Sequence, residues 1–138
     1  MASSESRDNG VLERFADRLL ADRGDAIEFV VLFGSRARGN WTRDSDYDVL
    51  VGLRSDDGKR LIDRMLEFSA FVDGNIEVFP YGRAAWQRMF EDRNILLLDA
   101  LEHGQVILDR GAFDAMRRTF QRWLASGEVA RSGAGWRI

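Results

Sequence analysis

The stretch Leu32–Val51, LFGSRARGNWTRDSDYDVLV, decides how this chain is read. An apolar run from Ala26 to Phe33, rich in β-branched and aromatic residues, stops at Gly34-Ser35 and reads as a short central strand. After ten intervening residues, Arg36 to Ser45, a second run opens on Asp46-x-Asp48. There Asp46 and Asp48 alternate with Tyr47, Val49 and Val51, which puts the two carboxylates on one face of a strand and the apolar side chains on the other. Glycine at the strand end lets backbone approach a phosphate, with the Ser35 hydroxyl and neighbouring amides as donors. Paired acids supply the oxygen ligands that Mg²⁺ takes beside substrate phosphates. The segment therefore predicts a site for Mg²⁺ and a nucleoside triphosphate.

Downstream, Glu77 interrupts the otherwise apolar strand Ile76 to Pro80. A carboxylate is costly inside a core, so that strand is expected to present Glu77 to an open face. If it neighbours Asp46-Tyr47-Asp48, Glu77 becomes a third acid, able to hold a second metal ion and to take the proton of an attacking hydroxyl. Arg36 and Arg38, just after Gly34-Ser35, are candidates for the β- and γ-phosphates. Asn40, Arg43 and Asp44 fall in the connecting loop, where plain loop polarity is the favoured reading. Rival motifs fail on spacing. A calcium loop starting at Asp44 would need glycine where Val49 stands and glutamate where Ser55 stands, and GSRARGN lacks the lysine of a phosphate-binding P-loop.

The rest of the composition narrows the chemistry. With no cysteine and His103 as the single histidine, thiolate zinc sites, cysteine nucleophiles and histidine-based triads are excluded or nearly so. His103-Gly104 reads instead as a helix C-terminus. A net charge of -3 on 138 residues gives no reason to expect stable nucleic-acid binding. Lys59 is the single lysine among the basic residues, and the arginine excess is of the kind a GC-rich coding genome produces. MASSESRDNG lacks an apolar signal core, and no run approaches a membrane span, so a cytoplasmic protein is expected.

Periodicity predicts a helix over Gly10 to Asp22, an amphipathic helix over Gly58 to Phe71 with Leu61, Ile62, Met65, Leu66 and Phe68 inward, and helices over Arg83–Asp92, Asn94–His103 and Ala112–Ser126. Gln105–Asp109 is read as a short strand. The expected fold is α/β (α+β), one domain over residues 1–138: a short mixed sheet with helices packed on one face. Residues 1–9 are expected to be flexible, and the Gly- and Ser-rich end, 127–138, to be loosely held. Trp86, Met89, Phe90 and Trp136 are candidates for a partner surface, with core packing favoured for most of them.

Gly34-Ser35, the ten-residue gap, Asp46-x-Asp48 and a later strand acid together resemble the DNA polymerase β-like nucleotidyltransferase superfamily. LFGSRARG with SDYDVLV is similar in particular to its small prokaryotic branch, the minimal nucleotidyltransferases. The resemblance spans roughly Ile27 to Phe79 and implies a polymerase β palm-like fold, two Mg²⁺ ions and transfer of a nucleoside monophosphate, most often AMP from ATP. Many members of that branch are antitoxins that adenylylate a tyrosine of an all-helical HEPN-type ribonuclease partner. Glu77 falls where the family's commoner third acid is aspartate, one methylene shorter. The resemblance thus implies Asp46, Asp48 and Glu77 as catalytic and metal-binding residues, with Gly34, Ser35, Arg36 and Arg38 around the nucleotide. Two alternatives stay open: adenylylation of a small hydroxylated molecule such as an aminoglycoside, and a nucleotide-binding module that blocks its partner sterically. The acceptor and the oligomeric state, homodimer included, are not fixed by the sequence.

Overall fold

All seven residues of β1 (Ile27–Phe33) are buried, so this strand runs through the middle of a sheet covered on both faces. The structure is a computed structural model that describes residues 4–39, 46–133 and 135–138. In it β1 pairs antiparallel with β2 (Tyr47–Leu53) on one side and with β4 (Gln105–Asp109) on the other, while β2 pairs parallel with β3 (Ile76–Tyr81). The sheet is mixed, in the order β3-β2-β1-β4.

On one face α1 (Ser4–Arg23) and α3 (Leu61–Phe68) lay Phe15, Leu19 and Phe68 against Ile27, Val30, Leu32, Val49 and Val51. On the other, α4 (Arg83–Glu91), α5 (Ile95–His103) and α6 (Ala112–Ser126) lay Trp86, Leu97, Leu101, Phe113 and Phe120 against Phe29, Val31, Phe33 and Leu50. The mixed sheet with helices is as the sequence predicts, but the helices cover both faces and not one. The reason is visible in β1: its apolar run has two buried faces to fill. Gly52 of β2 lies under the Phe29 ring so closely that any Cβ there would overlap it. The face that carries Asp48 is consequently closed from Leu50 onward, and its acidic end alone is open.

Three further expectations concern the two ends of the chain and α3. In the tail, expected to be loosely held, β5 (Ala130–Ser132) and β6 (Gly135–Arg137) pair as an antiparallel hairpin, Val129 is 1% exposed, and Trp136 meets Phe120 edge-on at 5.7 Å. Apolar anchors on either side of the glycines hold it. Residues 4–9, expected to be flexible, continue α1. In α3, Ile62 and Leu66 are 57% and 68% exposed, and the residue turned inward beside Phe68 is Arg64. Trp86 and Trp136 belong to the core or pack on it, as favoured, and Trp86 donates its indole N–H to Leu53 O at 2.9 Å.

Arg64 explains the rotation of α3. Its Nε and Nη2 donate to Asp57 at 3.0 and 2.5 Å, Nη2 also to Lys59 O at 2.8 Å, and Nη1 to Pro80 O at 3.0 Å, which ties the helix to the end of β3. These bonds hold the Asp57 carboxyl down at about 2, from an ordinary 3.8, against the opposing effect of burial. A depressed folded-state pKa contributes stability that is present above the unfolded value and lost as pH falls through the folded one. Asp57→Ala is therefore expected to cost about 2 kcal/mol at neutral pH, because it leaves a buried guanidinium short of its charged partner. Urea unfolding of both chains should show that gap at pH 7 and its disappearance between about pH 4 and pH 2, a window set by those two pKa values.

Candidate active site

β1 ends at Phe33, and Phe33 stands opposite Asp48 on β2, which in turn stands opposite Glu77 on β3. Phe33, Asp48 and Glu77 thus form one row across three strands at the open end of the sheet. Side chains level with each other in a sheet share a face, so Asp48 and Glu77 are brought together as the sequence predicts. Asp46, exposed and just ahead of β2, lies two residues from Asp48, with the Tyr47 amide bonded to Asn75 O at 2.8 Å.

Gly34 turns the chain from β1 into α2 (Ser35–Arg38), a single helical turn. Its φ of 76° and ψ of -156° belong to a region that only glycine enters without strain. A Cβ there would also overlap Oδ2 of Asp48. Backbone and carboxylate therefore touch: the turn read as a phosphate cradle and the acid read as a metal ligand are neighbours. Ser35, half-buried, opens the turn with amides that precede its first intrahelical bond, Arg38 N–H to Gly34 O.

The two arginines part company. Arg36 is 6% exposed, with its guanidinium 4.2 Å from the centre of the Tyr47 ring, on the face of β2 opposite Asp48. The structure does not bring it to the carboxylates; alternation along one helical turn sends it into the α1–α3 side of the core. Arg38 does come to the acidic end, where it pairs with Asp99 of α5 at 3.0 Å. Asp99 is the neighbour that sequence reasoning missed. It sits among the leucines of α5, and the signal available was its polarity in that run. Asn40, Arg43 and Asp44 lie outside the described residues.

The Asp48 carboxyl is pushed above the usual aspartate range, first by burial, then by the charges of Glu77 and Asp46, with Arg38 pulling the other way and Asp99 adding to the rise. Three acids that repel one another at a partly buried point make a donor set suited to a hard divalent cation, with oxygen ligands alone. Among the described residues no three His, Cys, Asp or Glu side chains are placed close enough together to hold a metal ion. The donors are lined up along the strands and would need to converge on the ion.

A family model for a nucleotidyltransferase domain matches residues 12–101, which takes in the whole of this row, the glycine turn and α5 as far as Leu101. The chain belongs to the nucleotidyltransferase domain family. No curated protein matches the chain by sequence. Among solved structures it is similar to a putative nucleotidyltransferase from Sulfolobus solfataricus, with a TM-score of 0.55 and 22% identity over 73% of this chain and 79% of that one. It is also similar to a chain of a toxin–antitoxin complex with AMP-PNP, with a TM-score of 0.53 and 16% identity over 84% of this chain and 89% of that one. A mutant of the toxin–antitoxin pair MntA-HpeT gives the same score and identity, over 84% and 88%. At these identities the likeness is one of fold. This nucleotidyltransferase keeps its acids at the mouth of the sheet, and no helix among its described residues is long and apolar enough to cross a membrane.

Proposed function

We propose that this nucleotidyltransferase transfers AMP from ATP to a hydroxyl of a protein, a tyrosine of an all-helical HEPN-type partner, and acts as the antitoxin of that pair. The observation that carries the reading is the contact between Gly34 and Asp48, with Glu77 in register beside it. It joins a place for phosphate oxygens to a carboxylate set in the space of one residue. The choice of acceptor is supported by the likeness of fold to the toxin–antitoxin structures, one of which holds an ATP analogue.

Asp46, Asp48 and Glu77 would hold two Mg²⁺ ions, which supply screening of phosphate charge and activation of the acceptor hydroxyl. The chain's own groups do the rest. The Gly34 turn places the triphosphate, with the Ser35 hydroxyl and first-turn amides donating to its oxygens. Arg38 faces the β- and γ-phosphates. Glu77, exposed at the edge of the row, takes the acceptor proton as the acceptor oxygen bonds to the α-phosphorus. The bond from the α-phosphorus to the bridging oxygen breaks, and pyrophosphate leaves with the electron pair.

Incubation with α-labelled ATP, Mg²⁺ and the product of the adjacent gene should place label on a tyrosine of that product. Absence of transfer from the folded protein to its correct partner would overturn the reading. Label on an aminoglycoside instead would move the acceptor to small molecules while keeping the chemistry.

A further inference from the structure

We propose that Asp99 is a positioning residue, which holds Arg38 off the metal-binding acids and keeps its remaining donors turned to the triphosphate. The inference rests on the nucleotide reading above and adds to it a residue from α5, outside the Gly-Ser and Asp-x-Asp motifs.

Arg38 ends a helix of one turn, and a long side chain in that position has about 2 kcal/mol of rotamer freedom to lose before it can meet a ligand. Asp99 removes much of that freedom. Both of its oxygens accept from the same nitrogen, Nη1, at 3.0 and 3.1 Å, across 61 residues of sequence. A guanidinium has five donors, so this single-nitrogen grip leaves Nε and Nη2 without a hydrogen bond to any other described residue. A two-nitrogen fork would have used the edge that phosphate oxygens prefer. The anchor itself is firm: Leu97, Leu98, Ala100 and Leu101 are buried around Asp99, and Asn94 caps the helix by accepting from the amides of Leu96 and Leu97.

Arg38 acts on the charge of Asp48 from this position, and so does Asp99. Besides Asp99, the described acid whose charge Arg38 offsets is Asp48, one of the carboxylates proposed to hold metal. An arginine closed onto Asp48 would compete with the cation and withdraw its donors from the phosphates. Asp99 thus gives the cation of the site a resting partner that is not a metal ligand.

Calorimetric titration with AMP-PNP and Mg²⁺, compared with AMP and Mg²⁺, tests this on the wild type, Asp99→Ala, Asp99→Asn, Arg38→Ala and the Arg38→Ala/Asp99→Ala double variant. Asp99→Ala is expected to raise the Kd for AMP-PNP about three- to ten-fold, and to add nothing in the Arg38→Ala background. The Kd for AMP, which lacks the β- and γ-phosphates, should stay unchanged. Asp99→Asn keeps an acceptor for Nη1 and should lose less, and it takes the place of Asp99→Ala if melting curves show the alanine variant unfolded. Unchanged or tighter AMP-PNP binding, an equal loss for AMP, or additive effects would overturn the role of Asp99 and leave the nucleotide reading intact. If the wild type binds no AMP-PNP, that reading falls and this inference with it.

Discussion

Asp48→Asn is expected to raise the melting temperature of this nucleotidyltransferase and to remove the nucleotidyl transfer proposed for it. The two effects have one cause. Burial and the charges of Glu77 and Asp46 push the Asp48 pKa up, so the ionised carboxylate is a burden on the folded state. For a carboxyl whose folded pKa lies above its unfolded value, stability rises as pH falls through that interval. Asparagine has nearly the same shape and no charge, so it removes the burden at neutral pH. On the proposed reading, transfer loses a ligand for the divalent cation at the same stroke, and a fall of about 10²–10³-fold is expected by comparison with the loss of one preorganised charge-stabilising group. Thermal melts at pH 5 and pH 8 beside the labelled-ATP assay check both halves. A lower melting temperature at pH 8 would contradict the electrostatic account, and retained transfer would remove Asp48 from the chemistry. Tests in cells add a third readout: if Asp48→Asn still neutralised the partner, binding alone would suffice for protection.

The elements of the candidate site could be located in the sequence because they are defined by local chemistry. Gly34-Ser35 and Asp46-x-Asp48 each announce themselves within a few residues, and the alternation around Tyr47 fixes which face the acids take. Glu77 could be placed because an acid in an apolar strand needs an exit, and the parallel pairing of β2 with β3 provides it. Most helix and strand boundaries follow for the same reason, with β4 and α6 matching their expected spans, while α1 begins at Ser4 and not at Gly10 and the strands β5 and β6 were not expected. Tertiary choices were less visible. Nothing local says that Arg36 goes to the Tyr47 ring and Arg38 to Asp99, since one helical turn separates two opposite faces and both residues carry the same charge. The periodicity of α3 pointed Ile62 and Leu66 inward, yet a network of bonds to Arg64 from three separate places in the chain outweighs it. In the tail, glycine and serine signalled looseness, while the decisive contacts of Val129 and Trp136 are long-range.

Gly34→Ala is the substitution expected to damage both stability and chemistry, and its two components can be separated. The backbone angles, φ 76° and ψ -156°, are costly for any residue with a Cβ, by about 1–3 kcal/mol. The added methyl also overlaps Oδ2 of Asp48, and relief requires the carboxylate or the strand end to move, for about 1–3 kcal/mol more. Urea unfolding should therefore show a loss of about 2–6 kcal/mol in the single variant, from these two terms together. In the Asp48→Ala background the carboxylate is gone and the overlap with it, so there the same glycine change should carry the backbone cost alone. Equal losses in both backgrounds would mean that the methyl never presses on the acid. Transfer by folded Gly34→Ala protein should fall by about 10²-fold or more, since ångström-scale displacement of a positioned group is enough for such a loss. A folded variant with normal transfer would show that the Gly34 turn and Asp48 need not touch for catalysis, and would break the link between phosphate cradle and metal ligand on which the adenylyltransferase reading depends.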